Sequence, residues 1–474
     1  MDSQHVNGSA CKTIKVMVSE RRVKRSALSY ENRSERFLIG AADMGSGWHQ
    51  RQYFHLYEAR VKAVRERILQ NAQRMLSKNI KISSLENVAE EVDSQSTTAT
   101  DVLVVGTIEK RIRARPSVLK TMADDDLKMD DSEEDGGNGI DSEVPTLIGN
   151  KDFLEFEDDK QILTGNINMD SVATGCTCGL FGRQVSGGVF EVKQVVWPMP
   201  APQRPLPTFD SEPMIAFLSG INVCGNPQQD ANALSGLTLF TQWAGGQMGI
   251  ETDKAAHVCR VVITGESINV ASQAVEFANK AAYLIRHEEA PNVGCAKVLD
   301  EHIARLTTLM PVDLMPGDGD PTVALHPQRP IHKTVLPMAG LNGGTLNLTT
   351  NPYEFSLGEL DFCVLSGQTI TDLRRLSTIN SASKLMTHML TWQHLAPTCP
   401  DTVDGFPLID RDPFVIERFP HVMVVGNQPK AEVDVFESAG RRCVLISLPR
   451  FSRSQIVALL NLRTLKVEWK QFTV

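Results

Sequence analysis

The chain has 474 residues, which is room for two or three domains rather than one. Hydrophobic residues make up 42% and charged residues 22%, enough to build a core, and no apolar run reaches the 18 residues of a membrane span. The net charge of −9 lies in one place, since ten acids and one lysine fall between Asp124 and Glu143; the neutral remainder excludes wholesale electrostatic capture of nucleic acid.

Residues 1–36 are polar, carry eight Lys/Arg against four Asp/Glu, and contain RRVKR at 21–25. They are expected to be a disordered basic tail, and the cluster reads either as a nuclear-import or phosphate-contacting patch or as a solvated arm. The start is polar and then basic, so no secretion leader is expected. The nine cysteines form no CxxC pair, which argues against a disulfide framework or a structural zinc site and points to a reducing compartment.

Residues 51–76 predict the clearest helix. Phe54, Tyr57, Val61, Val64, Ile68, Ala72 and Met75 recur every three or four residues, while Arg60, Arg65, Arg67 and Arg74 fall off that stripe. Beyond residue 101, DVLVVGTIEK (101–110), KDFLEFEDDKQILTGNI (151–167) and CTCGLFGRQVSGGVFEVKQVVWP (176–198) alternate apolar and polar residues. Gly187-Gly188 predicts a tight hairpin, and about five such strands fit a small barrel of the OB type across 37–200. An acidic insert, 120–148, is expected as a disordered loop between barrel strands. Alternation puts Cys176 and Cys178 on one barrel face as buried thiols.

MPAPQRPLPTF (199–209) holds four prolines and predicts a domain boundary. From 201 to 474, strand-like runs at 214–220, 259–265, 312–317, 345–350, 362–367, 421–426 and 443–448 alternate with helical stretches, clearest at 271–287, 295–309 and 381–393. This texture indicates a large α/β domain, in which ligands gather at the loops that follow the strands.

Those loops carry a resemblance. VLPMAGLNGGTLNLTTNPYEF (335–355), VLSGQTITDL (364–373), HLAPTCPDT (394–402), DPFVI (412–416), PHVMVVGNQP (420–429) and LPRFS (448–452) resemble the second, B-type subunit of DNA polymerase delta. RQYFHLYEAR (51–60), GTIEKRIRARPSVL (106–119) and LTGNI (163–167) agree, so the resemblance covers about residues 37–474. It implies an OB-fold barrel joined to an inactivated calcineurin-like phosphoesterase α/β sandwich.

An active enzyme of that fold needs two metals held by DxH, GDxxD, GNH, a lone His and GHxH loops. Here the loops read Ser219-Gly220-Ile221, Gly265-Glu266-Ser267-Ile268-Asn269, Gly317-Asp318-Gly319-Asp320 and Gly426-Asn427-Gln428-Pro429, with His394 the one plausible ligand left. Asp318 and Asp320, between glycines and prolines, predict a turn with Asx-type hydrogen bonds rather than an acid/base pair, and His394 a packed core histidine. No P-loop is present, and Gly340–Gly344 precedes a strand instead of opening a helix. No catalytic, cofactor-binding or metal-binding residue is assigned, and no cofactor is expected.

The resemblance thus implies a non-catalytic nuclear subunit acting in DNA replication and repair synthesis. It would bind the cysteine-rich C-terminal module of the catalytic subunit and a third accessory subunit, meeting the sliding clamp and DNA through the holoenzyme. No membrane and no small-molecule substrate is expected. The alternative, a metal-dependent phosphodiesterase or 3′–5′ exonuclease, is disfavoured by the ligand census. A barrel that binds single strands by itself is disfavoured because few aromatic residues interleave with basic ones.

Overall fold

Apolar runs that alternate between two different cores organise most of the chain. The structure is a computed structural model describing residues 25–76, 81–83, 101–112, 146–149, 152–156, 161–185, 188–249, 251–269 and 290–473. Most of the acidic insert and the helix expected at 271–287 lie outside the described residues.

The chain enters through β1 (Tyr30–Asn32), which pairs antiparallel with a strand more than 300 residues later, Tyr30 opposite Leu357. The last dozen residues of the segment read as a disordered tail therefore belong to the fold. Arg25, the end of the RRVKR cluster, donates to the carbonyls of Ala255 (2.8 Å) and Val258 (2.6 Å) and to that of Ala244.

Helix α1 (Phe54–Met75) follows as expected, but its buried face is Leu56, Arg60, Val64, Ile68 and Ala72, one residue every four. Phe54 and Met75 lie at the solvent, 59% and 48% exposed, and Arg60 sits within the stripe instead of off it. The face packs on the barrel, where Val64, Ile68 and Ala72 meet Leu103 and Val196. Gly179 permits the approach, since a Cβ there would lie 2.9 Å from Ile68.

The barrel consists of β2 (Val102–Arg111), β3 (Phe153–Phe156), β4 (Gln161–Gly165), β5 (Thr177–Val185) and β6 (Val189–Val196), closed in the order β2-β3-β4-β6-β5. The expected hairpin joins β5 to β6, with Val185 opposite Val189 and Gly188 at φ +74°. Cys178 points into the barrel core, but Cys176, one residue before β5, packs with Phe37 and Met386 in a different cluster. Burial pushes the Cys176 thiol up to about 12, as fits an inert core residue.

Two six-stranded mixed sheets form the rest. β7 (Met214–Leu218), α2 (Pro227–Ala244), α3 (Thr252–His257), β8 (Val258–Thr264), α4 (Pro291–Thr307), β9 (Val312–Met315) and β10 (Leu346–Leu348) begin the first sheet and cover it. β11 (Tyr353–Leu357), β12 (Leu360–Leu365), α5 (Gln368–Arg375), α6 (Ala382–Trp392), β13 (Val422–Gln428), β14 (Glu432–Ser438) and β15 (Arg441–Pro449) build the second. β16 (Ile456–Asn461) and β17 (Val467–Gln471) return to the first. The strand orders are β10-β9-β8-β7-β16-β17 and β1-β11-β12-β13-β15-β14.

Period-two alternation explains the layering. In β7, Ile215 and Phe217 face the second sheet beside Phe362 and Val424, whereas Ala216 and Leu218 face α2 and α4 through Leu237, Phe240, Leu299 and Ile303. The second sheet's outer face meets α5, α6 and the barrel side through Phe37, Ala173, Ala201, Leu385, Met389 and Trp392. The proline-rich stretch runs extended but is tied down: Ala201 N–H donates to Gln393 Oε1 (2.7 Å), and Gln203 Nε2 donates to the carbonyls of Arg442 (2.6 Å) and Pro420 (3.0 Å).

Candidate functional site

The strand-end loops converge at one end of the two sheets, where a doubly covered α/β fold places its ligands. The loop after β7 is stitched to the loop after β8 by Gly220 N–H to Gly265 O (2.9 Å) and Val223 N–H to Ser267 O (2.9 Å). Asp320 is buried and accepts from the backbone N–H groups of Ser267 (3.0 Å), Ile268 (2.9 Å) and Gly317 (2.8 Å). This carboxylate clasps two loops together, a longer-range role than the local turn the sequence suggests, while Asp318 remains exposed.

Glu266, at φ +52°, pairs with Arg450 at 2.9 Å. Burial raises its carboxyl to about 7, with Arg450 pulling it down and Asp318 and Asp320 pushing it up. Burial likewise raises Asp320 to about 6 against its backbone donors. Asn427 donates from Nδ2 to Ser366 O (2.8 Å) and Thr264 O (3.2 Å), while its N–H meets Ser219 Oγ (3.0 Å). Asn351 Nδ2 reaches Gln328 Oε1 and Ser366 Oγ, both at 2.7 Å, and Arg374 donates to Gln428 Oε1 (2.7 Å). Sequence reading did not single out Asn351, Gln328 or Arg374, because isolated amides carry no motif.

His394 has a partner of its own. Its Nε2 meets Asp412 Oδ2 at 2.9 Å, and burial beside the Arg60 guanidinium lowers it to about 4. Asp320 is thus held by backbone donors, Glu266 by Arg450 and His394 by Asp412. Among the described residues no group of three His, Cys, Asp or Glu side chains is arranged to hold a metal ion.

A second bonded network lies at the seam between α1, the barrel and the α/β unit. Arg60 Nε donates to Asp412 Oδ2 (2.6 Å), Nη1 to the carbonyls of Gly175 and Pro397 (both 2.9 Å), and Nη2 to that of Cys399 (2.6 Å). Burial alone would raise Asp412, yet Arg60 and His394 hold its carboxyl well below the usual range. A second set of bonds flanks the first. Lys110 Nζ donates to Leu376 O (2.9 Å), Asp170 accepts from Thr378 N–H (2.9 Å), and Trp392 Nε1 donates to Ser171 O (3.0 Å). Desolvation lowers Lys110 to about 8. These bonds join α1 and the barrel to the α/β unit.

Comparison with known proteins agrees on both units. Residues 52–195 match the family described as the OB-fold domain of the DNA polymerase delta subunit, and residues 215–433 match the family of the B-type subunit of DNA polymerases alpha and epsilon. A Caenorhabditis elegans protein described as a probable DNA polymerase delta small subunit is 36% identical, covering 94% of this chain and 97% of its own. The Drosophila melanogaster DNA polymerase delta subunit 2 is 30% identical, covering 95% and 99%, and the Saccharomyces cerevisiae small subunit is 29% identical, covering 88% of each. A solved archaeal phosphodiesterase aligns at a TM-score of 0.27 and 9% identity over 54% of this chain and 98% of its own, too slight a likeness to carry the calcineurin-like part of the expected fold. On identity sustained over nearly its whole length, the chain belongs to the DNA polymerase delta small subunit family.

Proposed function

We propose that the chain is a non-catalytic subunit that holds a nuclear DNA polymerase delta assembly together during replication and repair synthesis. In this reading it joins the C-terminal module of the catalytic subunit to a further accessory subunit, and meets DNA and the sliding clamp through them. The α/β unit would descend from a calcineurin-like phosphoesterase whose ligand loops now bond to one another.

The observation that carries the reading is the Arg60–Asp412 seam, whose bonds from α1 to the barrel and to the α/β unit support a composite surface built from both. Stable assembly of this kind needs interfaces of roughly 1,200–2,000 Å². Co-expression with the catalytic subunit's C-terminal region, followed by size-exclusion chromatography, tests it. Co-elution is expected, and separate elution would overturn the reading.

A further inference from the structure

Four strands edge the two sheets among the described residues, and three of them are guarded. β1 and β10 are only three residues long. β17 carries Glu468 and Lys470, which are tied to Lys254 and Glu251 at α3. The fourth, β14, is seven residues long and pairs with β15 in unbroken register from Glu432 opposite Ser447 to Ser438 opposite Arg441. Natural sheets blunt such edges by shortening, bulging or covering them, because an exposed flat edge is a template for another chain.

β14 also carries recognition chemistry. Val433 and Val435, opposite Ile446 and Val444, lie on the side of the inter-sheet core yet are 44% and 41% exposed. Phe436 turns the other way and stacks near Phe419. The N–H of Val435 donates to Asp434 Oδ1 (2.8 Å), a local side-chain acceptor in place of a neighbouring strand. Of the three carboxylates on the strand, Glu432 is held by Ser381 and Ser383, and only Glu437 has an ion-pair partner among the described residues, Arg442 at 3.4 Å.

We propose that β14 is a docking edge that accepts one extended segment of a partner polypeptide. That segment is apolar at the alternate positions that cover Val433 and Val435, and carries lysine or arginine on the face it shares with Asp434. The assignment of the segment to a partner rests on the reading of the chain as an assembly subunit.

The test titrates the full-length chain with a labelled octapeptide alternating valine and lysine, against one alternating valine and glutamate, by fluorescence anisotropy at low and high salt. The lysine peptide should bind at least about tenfold tighter, and more weakly as salt rises. Val435→Pro removes the outward donor at an edge position that tolerates proline, and should cost about tenfold with an unchanged melting temperature. Val433→Lys should act likewise. Equal binding of the two peptides, or full binding by both variants, overturns the edge. In the reconstituted polymerase, the Val435→Pro chain should lose a subunit that the wild type retains, and an unaltered complex overturns the partner assignment. A wild-type dimer abolished by Val435→Pro would overturn it too, giving the edge to a second copy. A wild-type chain that enters no assembly strikes the proposed function, whereas the peptide titration judges the edge alone.

Discussion

Arg60 and Asp412 stand 352 residues apart in the chain and form an ion pair at 2.6 Å, with side chains only 1% and 0% exposed. The guanidinium's other donors meet the carbonyls of Gly175, Pro397 and Cys399, so one side chain from α1 bonds both the barrel and the α/β unit. A buried pair tolerates the loss of one partner badly, because the other is left charged without water.

Arg60→Met should therefore destabilise the chain by about 3–5 kcal/mol, and Asp412→Asn by a comparable amount. Since both variants break one network, the double variant should cost much less than the sum. Denaturant midpoints of the three proteins check this, and additive costs would show that the two residues act independently.

Acid should weaken the same seam. His394 is lowered to about 4 in the folded chain, from an ordinary 6.5. The unfolded chain thus takes up a proton below pH 6.5 that the folded chain refuses until about pH 4, and stability is lost as pH falls through that window. His394→Gln should flatten the acid limb of the stability curve between pH 4 and 6.5 relative to wild type, measured by urea unfolding.

Glu266 has the opposite sign. Its folded carboxyl lies at about 7 against an ordinary 4.5, so the folded chain holds a proton that the unfolded one releases, and stability falls as pH rises through this range. Glu266→Gln removes the cost of ionising a buried acid. It should raise stability at pH 8 by on the order of 1–2 kcal/mol more than at pH 5. A loss at pH 8 would mean that the Arg450 pair outweighs desolvation.

The acidic insert should be dispensable up to a sharper boundary than its composition suggests. Thr146 Oγ1 donates to Ser377 O (3.0 Å), and Leu147 N–H donates to Arg375 O (2.8 Å), so the end of the 120–148 segment is docked. Replacing 120–145 with a short Gly/Ser linker should shift the melting temperature by no more than a few degrees, since loop closure costs grow slowly with length. Extending the deletion through 148 should lower it further.

The bonding of Asp320, Glu266 and His394 to protein partners predicts no manganese-dependent release of nucleotides from DNA 3′ ends or from phosphodiester substrates. Hydrolysis by the purified chain that Asp318→Ala abolished would contradict this.

Much of this fold is legible in the sequence because burial imposes a local period. The runs at 214–220, 259–265, 312–317, 421–426 and 443–448 became strands, and the Gly-rich turn at 188 became a hairpin, because alternation and glycine φ are properties of neighbouring residues. The loop motifs likewise resembled the family to which the chain proved to belong. Tertiary structure decided the rest. A charged Arg60 reads as solvent-facing until Asp412 and three carbonyls are brought to it, and that shift turned the buried face of α1 away from Phe54 and Met75. Tyr30–Asn32 reads as part of a tail until Leu357 is placed beside it, and the proline-rich 199–209 reads as a linker until Gln393 meets Ala201 and Arg442 meets Gln203. In each case the compensating partner lies far along the chain, so its free energy has no local trace in the sequence.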